Sequence, residues 1–167
     1  MKKTGIFYGS TTGTTEDIAG RIAAGLGIPS SDVHTASELS TGLIASYEAL
    51  ILGSSTWGDG ELQDEWYDAV EVLKEADLSD KTVALFGCGD SSSYCDTFCD
   101  AMGLLYEAVK DRCTIVGKVP ADGYSFDSSK AVENGYFVGL AIDEMNESDK
   151  TGARIDAWTG SIKDSLS

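Results

Sequence analysis

A stretch rich in hydroxyl side chains follows the first apolar run of the chain. It carries five hydroxyl groups and one glycine in six positions, and a helical pattern begins directly after it: Ser10, Thr11, Thr12, Gly13, Thr14, Thr15. Free backbone N–H groups at a helix start attract anions, and the hydroxyls add further donors. The lysine of a nucleoside-triphosphate loop does not occur here. The stretch predicts a site for one terminal phosphate monoester; an ordinary Ser/Thr-rich helix cap is the alternative.

Two later loops each carry one aromatic side chain. Residues 53–62 hold Trp57 among small residues, and residues 87–96 hold Tyr94 with two glycines and Asp90. Stacking of aromatic planes contributes about 0.5–1.5 kcal/mol beyond the burial of area. We expect the two rings to form a slot for a planar ligand, although a tryptophan could instead only close the top of the core. A planar ring joined to a phosphorylated chain describes flavin mononucleotide (FMN).

The elements that must position these loops alternate along the chain. Four short apolar runs have strand length and are followed by glycine, at 5–8, 49–52, 83–86 and 114–116, and a weaker candidate lies at 33–35. Strands that are apolar throughout are typical of a parallel sheet buried on both faces. Amphipathic patterns lie between them, with apolar stripes at Ile18–Leu26, Trp66–Leu73, Phe98–Val109 and Ile155–Leu166. This alternation predicts a doubly wound α/β fold, in which ligands bind beyond the carboxyl ends of the strands.

One turn-rich segment interrupts this alternation, and we predict it to be an insertion of about 20 residues at 118–135. It contains Pro120, Asp122-Gly123 and Asn134-Gly135, and a strand-like run follows at 136–141. We expect the insertion to interrupt or extend the last strand of a single domain that spans residues 1–167.

The overall charge excludes several classes of function. The chain has 12 basic and 28 acidic residues, a formal net charge of −16. Such a surface repels nucleic acid and anionic membranes, so we expect neither as a partner. No apolar run approaches a membrane span or a signal peptide, which favours the cytoplasm. Four cysteines without CxxC spacing and one histidine give no support for a metal site.

The three loops together resemble the flavodoxin family, and the insertion resembles its long-chain branch. Residues 10–15 match the family pattern T/S-x-T-G-x-T, and residues 55–62 match its P/S-T-W-x-x-G-E-L segment. The third pattern, G-x-G-D followed by Y and F-x-D-A-x-G, matches residues 87–90, Tyr94 and 98–103. The resemblance runs nearly end to end. It implies a five-stranded parallel sheet of order 2-1-3-4-5 with helices on both faces.

The resemblance also implies a role without enzymatic activity. The protein would be a low-potential one-electron carrier that cycles non-covalently bound FMN between semiquinone and hydroquinone. Residues 10–15 would hold the phosphate, Trp57 and Tyr94 would cover the two ring faces, and the backbone of Gly89 and Asp90 would meet the polar edge. The full predicted FMN-binding set is Ser10, Thr11, Thr12, Gly13, Thr14, Thr15, Ser55, Thr56, Trp57, Gly58, Asp59, Gly60, Cys88, Gly89, Asp90, Tyr94 and Cys99.

The Gly58-Asp59 pair has a specific implied role. In the family, the peptide after this tryptophan can turn over when the flavin gains one electron, and its carbonyl then accepts a hydrogen bond from flavin N5. Glycine adopts the required positive φ at the lowest cost. We therefore expect an easy turnover and a well-stabilised neutral semiquinone; glycines that only shape a tight turn are the alternative.

Nine acids and one lysine lie between Asp59 and Asp80. Their field disfavours the anionic hydroquinone, so we expect a strongly reducing carrier. The same charge suits transient docking of a monomer to a basic patch on a flavodoxin/ferredoxin reductase or another oxidoreductase. An FMN-dependent NAD(P)H:quinone reductase is the alternative function. A flavin-free receiver domain would need acids where the chain has Gly9-Ser10 and Gly53-Ser54.

Overall fold

The computed structural model describes residues 1–167 and is built on one central parallel sheet. Its long strands are β1 (Thr4–Gly9), β3 (Ala49–Trp57) and β5 (Thr82–Cys88), and β2 (Val33–Thr35) forms one edge. The spatial order is β2-β1-β3-β5, and a fifth position lies beside β5. This order is the one that the resemblance implies.

Two short strands share the fifth position. β6 (Thr114–Val116) pairs with Thr82–Ala84, and β10 (Leu140–Ile142) pairs with Phe86–Cys88, both in parallel. The insertion predicted at about 118–135 lies between these two strands, within residues 117–139. Gly139 has no room for a side chain against the backbone of Leu85, so only glycine lets the chain rejoin the sheet there.

The insertion folds into its own small antiparallel sheet. Its strands are β7 (Val119–Pro120), β8 (Val132–Glu133) and β9 (Tyr136–Phe137), in the order β7-β9-β8. The predicted strand-like run at 136–141 is thus split between two sheets. Three aromatic rings of the insertion pack around Phe98 at centroid distances of 5.5–6.2 Å: Tyr124, Phe126 and Phe137.

Helices cover both faces of the central sheet. One face packs on α1 (Thr14–Leu26) and α5 (Glu144–Ile162), and the other on α3 (Trp66–Glu75) and α4 (Asp100–Val109). The short α2 (Thr41–Ala45) precedes β3. Side chains of a strand alternate between these two cores: Ile6 packs with α1, whereas Phe7 packs with α3 and α4.

Three helix boundaries differ from the sequence prediction. Phe98 precedes α4, because Cys99 has a positive φ of 54° and the helix begins only at Asp100. Leu166 lies in a separate 3₁₀ turn after α5. α5 also begins earlier than predicted, and it is bent at Glu147, whose φ and ψ are −131° and 39°. None of the helices has the length and apolar character that crossing a membrane requires.

The carboxyl ends of β1, β3 and β5 bring the three predicted loops to one edge. β3 extends beyond the predicted apolar run to Trp57, because the short β4 (Glu61–Leu62) pairs with its end in antiparallel fashion. The reversal between β3 and β4 contains only residues 58–60, so Trp57 is held by sheet hydrogen bonds rather than by a free loop.

Candidate functional site

The loop between β1 and α1 carries several hydrogen-bond donors that have no acceptor within the protein. Gly13 lies directly before α1, in the N-cap position, with a positive φ of 93°, and no side chain caps the helix. The backbone N–H groups of Thr14, Thr15 and Glu16 donate to no protein acceptor. Ser10 Oγ accepts from Gly13 N–H at 3.1 Å, which folds the loop over the helix start.

Thr15 adds a further donor without an acceptor. Its Oγ1 is buried and has no partner with hydrogen-bonding geometry, although the Cys88 thiol lies next to it. A buried polar group without a partner costs about 1–3 kcal/mol. Three free N–H groups beside an unsatisfied hydroxyl fit a terminal phosphate. Thr11 contributes differently, because its Oγ1 accepts from Gln63 Nε2 at 3.2 Å.

Next to this loop lies a cavity of about 270 Å³ with aromatic walls. Ten of the predicted site residues line it: Thr12, Thr14, Ser55, Thr56, Trp57, Gly58, Cys88, Gly89, Asp90 and Tyr94. Trp57 is 40% exposed and Tyr94 53% exposed, which is unusual for rings of this size. The indole N–H of Trp57 donates to Ser55 Oγ at 2.7 Å and fixes the ring orientation. The walls fit a flat ring.

The loop after β5 presents different backbone groups at Gly89 and Asp90. Gly89 N–H donates to Ile142 O at 3.0 Å inside the sheet and is not available to a ligand, whereas Asp90 N–H has no protein acceptor. The Asp90 carboxylate accepts from Asn146 Nδ2 at 2.8 Å and from the N–H groups of Ser92 and Ser93 at 3.1 Å. These bonds, that from Asn146 first, lower the pKa of Asp90.

Seven of the predicted residues do not line the cavity: Ser10, Thr11, Gly13, Thr15, Asp59, Gly60 and Cys99. Most of them shape the two loops. Cys99 is the exception, because its side chain is fully buried, and burial raises its pKa well above the usual range. A ligand contact through the Cys99 thiol is therefore not supported. Burial also raises the pKa of Cys88 to about 12, so its thiol stays protonated.

The reversal after Trp57 contains two glycines with positive φ. Gly58 has a φ of 52° and Gly60 a φ of 87°. A Cβ on Gly60 would lie 2.6 Å from Asp100 Oδ2, so this position has no room for a side chain. A Cβ on Gly58 would meet only the Glu61 carboxylate, at ordinary contact distances of 3.4–3.5 Å. Gly58 is therefore required for its backbone conformation alone.

Three lining residues were missed by the sequence analysis: Thr97, Glu144 and Met145. Glu144 and Met145 follow β10, so the rule that ligands bind beyond strand ends would have found them if applied to the last strand. Met145 is 76% exposed. Thr97 lies shortly after Tyr94 in the sequence, and no local pattern there identifies it as a lining residue.

Comparison with known proteins agrees with this geometry. The sequence model of the family described as Flavodoxin matches residues 6–158. Flavodoxin 1 of Escherichia coli is 44% identical over 168 residues, which covers 99% of this chain and 96% of the relative. A flavodoxin of Nostoc is 43% identical and covers 97% and 96%. The crystal structure of Fusobacterium nucleatum flavodoxin bound to FMN aligns over 100% of both chains with a TM-score of 0.90 and 33% identity.

Proposed function

Because the chain belongs to the flavodoxin family, we propose that it carries single electrons between redox enzymes on one non-covalently bound FMN. The observation that carries this proposal is the donor-rich loop at Thr14–Glu16 beside the cavity between Trp57 and Tyr94. FMN, when bound, accepts and releases electrons one at a time. The protein's own residues bind it, orient it and set its potentials.

Each part of the site has a distinct task in this proposal. Residues 10–15 hold the phosphate through free N–H groups and hydroxyls. Trp57 and Tyr94 cover the two ring faces and keep water away from them. The free N–H of Asp90 meets the polar edge of the ring, and the Asn146 side chain holds the Asp90 turn in place. The backbone at Gly58 supplies the peptide whose carbonyl can turn toward the ring.

The acids around the cavity make the bound cofactor a strong reductant. Glu144 lines the cavity directly, and Asp59 and Glu61 lie in or next to the reversal after Trp57. These carboxylates would oppose any negative charge that a second electron would place on a bound flavin ring. The covered ring faces limit screening by water, which preserves the effect.

The acidic surface also suits partners with basic docking patches, such as a flavodoxin/ferredoxin reductase. Electron-transfer complexes of this kind are small and steered by charge. The strong net charge favours a monomer in solution, because copies of the chain repel one another. The single-domain organisation over residues 1–167 belongs to the same proposal, and the cytoplasmic location stays a prediction of the sequence.

An anaerobic reductive titration followed by the visible spectrum tests the proposal. We expect a yellow protein that turns blue after one electron and pales after two. A protein that passes directly to the two-electron state, with NAD(P)H alone as a sufficient donor, would identify a reductase instead. A colourless protein that takes up no added FMN would refute the assignment of the site.

A further inference from the structure

A second cavity, entirely polar, lies next to the FMN cavity. It has a volume of about 350 Å³ and no hydrophobic lining residue. Three carboxylates line it, those of Asp59, Asp96 and Asp100, together with three hydroxyl side chains and Lys130. The two cavities share Thr97 as a lining residue. On its other side, the walls come from residues 128–130 of the insertion.

Asp100 is the unusual member of this set. It is only 2% exposed, yet it lines the cavity. Its Oδ1 accepts from the backbone N–H of Lys130 at 2.7 Å, whereas Oδ2 accepts no hydrogen bond from the protein. Burial raises the pKa of Asp100; Asp59 adds to this, and Lys130 opposes it. A buried carboxylate with one open acceptor is stabilised by a cation in the adjoining space.

The chain itself does not supply that cation fully. Lys130 is the only basic residue in the lining, and it takes part in none of the seven ion pairs of the structure. Three carboxylates against one ammonium leave two uncompensated negative charges in the lining when all are ionised.

We propose that this cavity receives an arginine side chain of the redox partner. The inference rests on the proposed electron-carrier function. A guanidinium group has five N–H donors in a planar fork, which suits carboxylates and hydroxyls spread around a roomy cavity. A small metal ion would instead need oxygen ligands that converge on one point. A lysine offers one compact charge and fewer donors.

The position of the cavity explains how an arginine bound there would assist electron transfer. Asp59 follows Gly58, which lines the FMN cavity, and Thr97 lines both cavities. An arginine seated here places the partner's surface next to the exposed rims of Trp57 and Tyr94, where electrons would cross. The insertion contributes Ser128 and Ser129 to the opposite wall, so it completes the proposed arginine-binding cavity.

An NMR titration of the oxidised, FMN-loaded protein with N-acetyl-L-argininamide tests the proposal. We expect saturable shifts of the backbone amides of Thr97, Ser128 and Ser129, and weaker binding of N-acetyl-L-lysinamide, which has the same charge. The variant Asp96→Asn should weaken binding of the arginine probe about five- to tenfold, as loss of a charge-assisted hydrogen bond implies. Lys130→Gln should strengthen it, because a competing cation is removed.

Two further variants separate a binding role from a structural one. Asp100→Asn keeps an acceptor oxygen for the Lys130 N–H but removes the charge, so it should weaken the probe without lowering stability at neutral pH. Asp68→Asn is the matched control, because Asp68 is an exposed acid of the same acidic stretch outside the cavity. It should leave the affinity for the probe unchanged.

Several results would refute the proposal that this cavity binds arginine. They are unsaturable shifts spread over the whole acidic surface, equal binding of both probes, or an equal loss in Asp68→Asn. Tighter binding of Mg²⁺ with the same shifts would identify a metal site instead. FMN absorbance of the same sample reports on the proposed function separately. A protein that binds FMN but not the arginine probe refutes only the arginine-binding cavity. A protein that binds no FMN refutes the proposed electron-carrier function.

Discussion

A single methyl group at Gly58 tests how the chain tunes its cofactor. The residue has a φ of 52°, and a Cβ there would make only ordinary contacts with the Glu61 carboxylate. Gly58→Ala therefore changes backbone energy without a steric clash. If the peptide between Gly58 and Asp59 turns over on reduction, the ψ of residue 58 rotates while its φ stays positive. This moves the residue into a region that is essentially accessible only to glycine.

The expected magnitude follows from the cost of positive φ. An L-residue in the left-handed region costs about 1–2 kcal/mol relative to its normal conformation, and the turned conformation costs about 1–3 kcal/mol. The turned conformation can therefore cost up to about 2 kcal/mol more than the starting one, which lowers the first-electron potential by up to about 85 mV, since tenfold corresponds to about 1.4 kcal/mol or about 59 mV for one electron. The second-electron potential should change less, because the loop has already turned.

Potentiometric titration of the FMN-loaded variants measures both potentials. Gly160→Ala is the matched control, because this glycine lies within α5, has no positive φ, and a Cβ there would meet nothing within 4 Å. Its potentials should equal those of the unsubstituted protein. A first-electron potential that is unchanged in Gly58→Ala, with FMN still bound, would mean that this peptide does not turn over.

Three further outcomes are expected. Raising the salt concentration should raise the second-electron potential by on the order of tens of millivolts, because it screens the acidic field, and a salt-independent potential would contradict that field. Thr15→Val should weaken FMN binding about tenfold in a fluorescence titration without lowering the urea stability of the apoprotein, because the hydroxyl has no partner within the protein; unchanged affinity would exclude its role. The lowered pKa of Asp90 stabilises the folded loop above its unfolded value near pH 4 and loses that effect as pH falls through the folded value. Asn146→Ala should therefore move acid release of FMN, followed by flavin fluorescence, to higher pH, and an unchanged midpoint would argue against the Asp90 turn.

The strands that could be predicted from the sequence are those whose character is local. β1 and β5 are buried on both faces, and their continuous apolar runs indicate this directly. The extension of β3 through Ser54–Trp57 was not predictable in the same way. Its sequence is polar, and it becomes a strand because β4 returns to pair with it. A partner strand contributes hydrogen bonds that no hydrophobic pattern records.

The same distinction between local and long-range interactions decides which parts of the site could be predicted from the sequence. The loop between β1 and α1 depends on a helix start and its neighbours in sequence, so its residue types were sufficient to predict a group of free hydrogen-bond donors there. The N–H of Gly89 is not available to a ligand, and no local pattern shows this, because its acceptor, Ile142 O, lies some fifty residues later in the sequence. Glu144 and Met145 were overlooked because the insertion obscured where the last strand ends.

The insertion shows why turn chemistry alone does not reveal a role. Its residues 127–130 donate hydrogen bonds to the segment that follows Tyr94: the N–H groups of Asp127 and Ser128 to Cys95 O at 2.9 and 3.0 Å, and Ser128 Oγ to Asp96 O at 2.6 Å. Ser129 Oγ likewise donates to Phe98 O. These bonds fix the backbone between Tyr94 and α4, and they connect positions about thirty residues apart. The sequence of this segment alone indicates only a loop. In the fold, it supports the loop that carries Tyr94, because its donors bond to carbonyl oxygens of that loop rather than to water.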